Sequence, residues 1–412
     1  MRKINKHIVF VITIISIALQ NCVEPFDAAT ESFENLLVVE ATITNEFKYH
    51  QIKLSKSYRL EDPIPNYPLN ASVKVIDDIQ NTYLFQLQDT TGLYVSIQKF
   101  AVQPNRSYQL LINSNGKSYE SIPTTLTNSL SEYNITAIKE TNKDGIEGIM
   151  IYADSSDPSG NSKYYRFQYE ETYKIIAPYW SPLDGYGDPF PLPNPPPYHE
   201  VFTRPRIQEE KTCYKTTYSN KILQTNTDLY AEDRVVKYPV LFLPKDDFKI
   251  THRYSILVRQ LIQSQEAYAY YKTLDKFSGI ESVFSQKQQG FIQGNMYVVG
   301  NPDKKVIGYF EVSSAKTKRI FFNFEDFFPN ENKPPYITEC NLITPDLDDY
   351  SFGSNPEFSP LIKYLQVYDF KFVGLNDTIL PPNPNKPFII VERPCGDCTT
   401  LGSNIRPNFW ID

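Results

Sequence analysis

Between Leu36 and Ile122 the chain is cut into seven short segments, each bounded by turn-forming residues, and this pattern restricts the fold more than any other feature. The segments are Leu36–Thr44, His50–Ser57, Ala71–Ile76, Thr82–Gln88, Leu93–Ile97, Ser107–Asn113 and Ser118–Ile122. Each is too short for a stable helix, and Val73/Val75 and Leu84/Gln86 alternate as half-buried strands do. Asn115-Gly116 is a two-residue hairpin signal, because both positions of that turn need positive φ. Seven short strands at this spacing read as an immunoglobulin-like sandwich over residues 36–126, with Tyr108 as a candidate tyrosine corner. Composition agrees. The chain has Tyr 30, Phe 26 and Pro 31 against Gly 16 and Met 3, which suits strands joined by proline-bearing loops.

A second, larger β region is expected over 131–412. Tyr133–Glu140 and Glu147–Tyr152 flank the turn signal Lys143-Asp144-Gly145, and Tyr164–Ile176 reads as a long strand. In Pro178–Pro205, 9 of 28 residues are proline. That stretch reads as a long insertion without regular structure, stiffened by proline. Its aromatics Tyr179, Trp180, Tyr186, Phe190, Tyr198 and Phe202 are candidates for contact with a partner or ligand, the alternative being that they fold back onto the sheet. Arg234–Leu243, His252–Leu261, Met296–Val299, Lys305–Ser313, Arg319–Phe324, Tyr364–Phe372 and Phe388–Arg393 are further expected strands. One helix is expected over 264–279. Ser264 is its N-cap and Glu266 lies in its first turn; Ala267, Tyr270, Tyr271, Leu274 and Phe277 fall at helical spacing. The fold class is therefore mainly β, with one helix and long loops.

The N-terminus carries Arg2, Lys3 and Lys6, then an apolar run from Val9 to Leu19, then Cys22. Eleven residues are too few to span a bilayer and match the apolar core of a signal peptide. A cysteine directly after such a run resembles a bacterial lipobox, although Gln20 and Asn21 depart from the small residues that usually precede it. The expectation is a signal peptide over 1–21 and a tether over 22–35, lipidated at Cys22, which anchors the protein to a bilayer through acyl chains.

With Cys22 set aside, Cys213, Cys340, Cys395 and Cys398 remain, an even number in an exported chain. They are disulfide candidates with three possible connectivities, and they staple the C-terminal tail to the body. Cys395-Gly396-Asp397-Cys398 has no second CxxC and no nearby His, which argues against zinc. His50, His199 and His252 are isolated. No nucleophile elbow, phosphate loop or metal-ligand spacing stands out, so no catalytic residue, metal or cofactor is expected. The net charge of −7 falls to −10 without Arg2, Lys3 and Lys6, which excludes a nucleic-acid footprint.

Several stretches together resemble a known family. They are Cys22-Val-Glu-Pro-Phe-Asp27, Leu37-Val-Val-Glu-Ala-Thr-Ile-Thr-Asn45, Leu54-Ser-Lys-Ser57, Asp157-Pro-Ser-Gly160, Tyr164-Tyr-Arg-Phe167 and Arg253-Tyr-Ser-Ile-Leu-Val-Arg-Gln260. Gly294-Asn295, Gly308-Tyr-Phe310, Lys318-Arg-Ile-Phe321, Cys395-Gly-Asp-Cys-Thr399 and Pro407-Asn-Phe-Trp410 continue the series. The chain is similar to Bacteroidetes lipoproteins grouped as domain of unknown function 4249. Gly396 stands where many relatives carry a further Cys. The resemblance implies a non-catalytic accessory subunit of a TonB-dependent outer-membrane transporter, facing the cell exterior, that captures a substrate or acts as a lid. It implies a role like that of SusD-type lids, without their helical fold. The alternatives are a structural or assembly subunit of an envelope complex, or an adhesin without a small-molecule pocket.

Overall fold

A computed structural model describes residues 35–58, 65–127, 132–190, 198–278, 292–301, 303–350, 358–377 and 383–412. The candidate lipidation residue Cys22 lies outside the described residues, as do 191–197 of the proline-rich insertion. The seven expected N-terminal strands are all present: β1 (Leu37–Thr44), β2 (Gln51–Lys56), β3 (Ser72–Asp77), β4 (Thr82–Leu87), β5 (Leu93–Ser96), β6 (Ser107–Ser114) and β7 (Lys117–Ser121). Short β8 (Thr124–Thr125) follows, then β9 (Glu132–Thr141), β10 (Glu147–Ser156), β11 (Tyr164–Ile176), β12 (Leu183–Gly187) and β13 (Val201–Pro205). Next come β14 (Thr212–Tyr218), β15 (Leu223–Asn226), β16 (Arg234–Pro244), β17 (Tyr254–Gln263) and helix α1 (Gln265–Ser278). The chain continues with β18 (Met296–Val298), β19 (Ile307–Phe322), α2 (Pro360–Gln366), β20 (Lys371–Leu375), β21 (Phe388–Val391) and the single turn α3 (Arg393–Gly396).

The fold is mainly β. Among the described residues fourteen strands share one sheet, whose main path runs β14-β11-β17-β19-β1-β2-β5-β4-β3-β6-β7-β18. Strands β16, β10 and β9 form a second sheet, and β12–β13 and β20–β21 are separate hairpins. Alternation sets the inward faces. Val73 and Val75 of β3 and Leu110 and Ile112 of β6 are buried, while their neighbours are more exposed. Asn115 and Gly116 have φ of 51° and 71°, the backbone a tight twisted hairpin demands. The backbone N–H of Gln103 donates to the Tyr108 hydroxyl at 2.8 Å, the upstream bond of a tyrosine corner.

The first core extends beyond residues 36–126. Met296, Val298, Phe310 and Val312 are buried in it, because β18 pairs with β7 and β19 pairs in parallel with β1. Lys305–Ser313 and Arg319–Phe324, two strands by sequence pattern, form the single 16-residue β19. The polar stretch Lys316–Lys318 does not interrupt it, since the neighbouring β17 supplies a partner for each of those residues. One strand thus belongs to both halves of the large sheet.

A buried ion pair occupies the seam. Glu311 on β19 pairs with Arg166 on β11; the two residues are 1% and 7% exposed. Ser313 Oγ donates to Glu311 at 2.7 Å and Gln263 Nε2 at 3.1 Å. The Arg166 guanidinium lies 4.2 Å from the ring centroid of Tyr271 on α1. Burial pulls the Arg166 pKa down, but Glu311 outweighs it and holds the value above the ordinary one.

Helix α1 starts as expected: Ser264 Oγ accepts from the Ala267 N–H at 3.1 Å. Two expectations are corrected. Tyr364–Phe372 is not one strand; its first residues belong to α2 and its last two open β20. Ser359 caps α2 through the Ile362 N–H, and Pro360 stands in its first turn. Part of Pro178–Pro205 is regular, because β12 and β13 pair within it.

Candidate partner-contact surface

Strands β12 and β13 pair Tyr186 with Phe202 and Asp184 with Arg204. Period-two alternation sends these four to one face, and Leu183, Gly185, Gly187 and Val201 to the other. The inner face packs on a small third core that contains Leu361, Leu365, Phe372, Phe388 and Ile390. The two glycines permit this approach. A Cβ on Gly187 would fall 2.6 Å from Ile362 Cγ1, and one on Gly185 would fall 3.2 Å from Phe372 Cβ. Gln366 Nε2 of α2 donates to the Gly187 carbonyl at 2.6 Å and fixes the strand end.

The outer face is aromatic and open. On this face Tyr186 is 37% exposed and Phe202 45%; Phe190, beyond the end of β12, is 76% exposed. The Tyr186 and Phe202 ring centroids are 5.6 Å apart, and the Arg204 guanidinium lies 5.2 Å from the Tyr186 ring. Rigid aromatics flanked by Arg are the residue types that dominate binding energy at interfaces.

The other three aromatic candidates do not join this face. Trp180 is half-buried against the core that holds Tyr165, Phe167 and Ile256, with the Lys211 ammonium 5.6 Å from its ring. The Tyr179 N–H donates to the Cys395 carbonyl at 3.0 Å. Tyr198 is half-buried near Tyr350, and its N–H donates to Asp348 Oδ2 at 2.8 Å. Beside it His199 Nδ1 lies 2.6 Å from Asp348 Oδ1, both side chains fully buried. This pair ties the hairpin to the 346–350 segment.

The cysteines close on the hairpin root. Cys213 bonds Cys398 and Cys340 bonds Cys395, so the two halves of the CxxC lie in different bridges. Arg206, just beyond β13, donates to the Gly396 carbonyl at 3.0 Å and pairs with Glu210. The Cys398 N–H donates to the Glu210 carbonyl at 2.9 Å. The tail is thereby pinned to β14 and to the segment beneath the hairpin. Asp184 and Arg204 were not singled out from sequence. The signal was the alternation Asp184-Gly-Tyr-Gly opposite Val201-Phe-Thr-Arg, obscured by the surrounding prolines.

Among the described residues no group of three or more His, Cys, Asp or Glu is placed to hold a metal ion, and no helix is long and apolar enough to cross a membrane.

Comparison with curated proteins finds no match. One solved structure, reported as manganese lipoxygenase of Gaeumannomyces graminis with a partial zonadhesin of Komagataella pastoris, is 9% identical. The match covers 57% of this chain and 91% of that one, with a TM-score of 0.16. The B domain of a biofilm-associated protein is 8% identical, with 81% and 95% of the two chains covered and a TM-score of 0.15. TM-scores this low carry no argument about fold or function. A family model described as a domain of unknown function, DUF4249, matches residues 23–319.

Proposed function

We propose that this chain, which belongs to the DUF4249 family, is a non-catalytic binding subunit, lipid-anchored through Cys22 at the outer-membrane surface and seated on a TonB-dependent barrel. The N-terminal charged and apolar segments followed by Cys22 support the anchor. Two disulfides fit an oxidising compartment outside the cytoplasm. The observation that carries the binding role is the open Tyr186–Phe202 pair, backed by a packed core and anchored at its root by the cystine-bonded tail. A pre-ordered aromatic face avoids much of the side-chain ordering cost of association. In this reading the barrel receives that face, and the subunit captures the barrel's substrate or covers its mouth.

The test is a mild-detergent pull-down of the tagged protein from native outer membranes, with mass spectrometry of what accompanies it. A stoichiometric TonB-dependent barrel is expected, and it is lost from the Tyr186→Ala/Phe202→Ala variant. Recovery of the protein alone would refute the proposal. Recovery with envelope assembly factors would establish the structural-subunit role in its place.

A further inference from the structure

A second site lies away from the aromatic hairpin, where three neighbouring strands of the large sheet reach the same end. Tyr173, Tyr254 and Phe322 form one row across β11, β17 and β19, and Lys174, Arg253 and Asn323 continue that register by one residue. The Lys174 N–H donates to the Arg253 carbonyl at 3.1 Å. His252, Glu325 and Lys333 come from the adjoining turns and Asp412 from the tail, whose Trp410 ring centroid lies 5.8 Å from that of Phe321. Together these residues line a cavity of about 290 Å³, at the lower end of the range for small-ligand sites.

The charges around this cavity do not balance. Lys333 pairs with Glu325 at 2.7 Å, and Lys174 pairs with Asp412 at 3.6 Å. Arg253 reaches only neutral acceptors, the Ile411 carbonyl through Nε and Asn323 Oδ1 through Nη1 at 3.3 Å, so one positive charge is left over. His252 is half-buried and makes no side-chain hydrogen bond among the described residues. Burial and the fields of Lys333 and Lys174 lower its pKa to about 4 against the opposing field of Glu325, so it is neutral at physiological pH. The donors also narrow the ligand class. A planar carboxylate is held best by two nitrogens of one guanidinium, and Nε and Nη1 of Arg253 are already engaged. Arg253 Nη2, two ammonium groups and an imidazole are single donors from separate side chains, which suits the several oxygens of a tetrahedral phosphoryl or sulfuryl group.

We infer that this cavity binds a phosphate or sulfate group, held by Arg253, Lys174 and Lys333 with His252 beside it. The bound anion attracts a proton to His252, so affinity rises as the pH falls below the ordinary histidine value near 6.5. Glu325, hydrogen-bonded to Lys333, stays below the ordinary carboxylate range and remains charged. Asp412 does so too, because its desolvation is outweighed by Lys174 and Arg406. The site shares no residue with the hairpin face or the lipid anchor.

The test is calorimetric titration of the full-length protein in detergent with sodium sulfate, sodium acetate, glucose, glucose 6-phosphate and dihexanoyl phosphatidic acid. Sulfate is expected to bind, acetate more weakly and glucose not at all. Sulfate keeps its charge across the range, and it should bind about fourfold more tightly at pH 6 than at pH 8; His252→Gln should remove that difference. Lys333→Gln should weaken sulfate binding about fivefold and Glu325→Gln should tighten it by about the same factor. Both residues are exposed, so neither variant should move the denaturation midpoint, and effects of opposite sign separate lost binding from lost folding. Tighter binding of glucose 6-phosphate than of the phosphatidic acid would support the site with a soluble ester as its ligand, and the reverse order would support it with a lipid headgroup. No sulfate binding, acetate binding as tight as sulfate, an affinity flat with pH, or effects of the same sign in the two variants would each overturn the inference. None of these outcomes bears on the pull-down result.

Discussion

Replacing Glu311 with Gln should destabilise the protein by about 3 kcal/mol. An exposed ion pair contributes about 0–1 kcal/mol. Removing one partner of a buried pair costs about 3–5 kcal/mol, because the remaining charge is stranded. Exposures of 7% and 1% put Arg166–Glu311 in the second class. The structure also points to the lower end of that range. The Arg166 guanidinium keeps the Tyr271 face at 4.2 Å, and a desolvated cation–π contact offsets roughly 1–2 kcal/mol. The amide introduced by Glu311→Gln would retain a neutral acceptor for Ser313. With an m-value of about 3 kcal/mol/M, the loss moves the urea midpoint down by about 1 M. The control is Arg166→Met/Glu311→Leu. Removing both charges strands neither, so that double variant should lie nearer the wild type than Glu311→Gln does. A Glu311→Gln unfolding free energy within about 0.5 kcal/mol of wild type would refute the claim that the seam holds a desolvated pair. A double variant less stable than the single one would refute the stranded-charge explanation.

Further consequences are checked in the same way. Loss of the Cys340–Cys395 bridge, which spans 55 residues, should cost up to about 4 kcal/mol by loop-closure entropy; Cys340→Ala/Cys395→Ala should show faster amide exchange in β12 and β13 by mass spectrometry. Tyr108→Phe leaves the Gln103 N–H without its 2.8 Å acceptor and should cost about 1–3 kcal/mol in urea titration. Burial, reinforced by Lys48, lowers the His50 pKa to about 4 from an unfolded value near 6.5. The unfolded chain then binds more protons between those values. The associated stability is present above about pH 6.5 and is lost as pH falls toward 4, up to about 3 kcal/mol, and His50→Gln should flatten that part of the pH profile. Gly187→Val drives a side chain into Ile362 and should cost about 1–3 kcal/mol by thermal melting, while the surface substitution Phe190→Ala should be near neutral.

The functional surface was half legible in the sequence. Tyr186, Phe190 and Phe202 are open, as a contact role requires, whereas Trp180 packs on a core and Tyr179 and Tyr198 are half-buried near the hairpin root. A run of aromatics among prolines states that large rings are present. It does not state which face each ring takes, because that depends on pairing between β12 and β13 across a proline-rich connection. The Ser359-Pro360 start of α2 was a readable helix signal, masked by the apolar and aromatic residues that follow it. The cationic cavity at the end of β11 and β17 was not legible at all, since it brings together residues 174–176, 252–253, 323–325, 333 and 412.

Local chemistry determined what is local. The seven N-terminal strands, the Asn115-Gly116 turn, the tyrosine corner and the Ser264 cap each rest on alternation, a dihedral requirement or a nearby hydrogen bond, so neighbouring residues suffice to specify them. Tertiary structure decided the rest. The parallel seam of β1 and β19 joins residues about 270 positions apart, and the pairing of Cys213 with Cys398 and Cys340 with Cys395 chooses one of three connectivities. Which distant segments meet depends on the burial of whole sheet faces and on partners for buried groups such as Arg166, and no window of neighbouring residues contains either quantity.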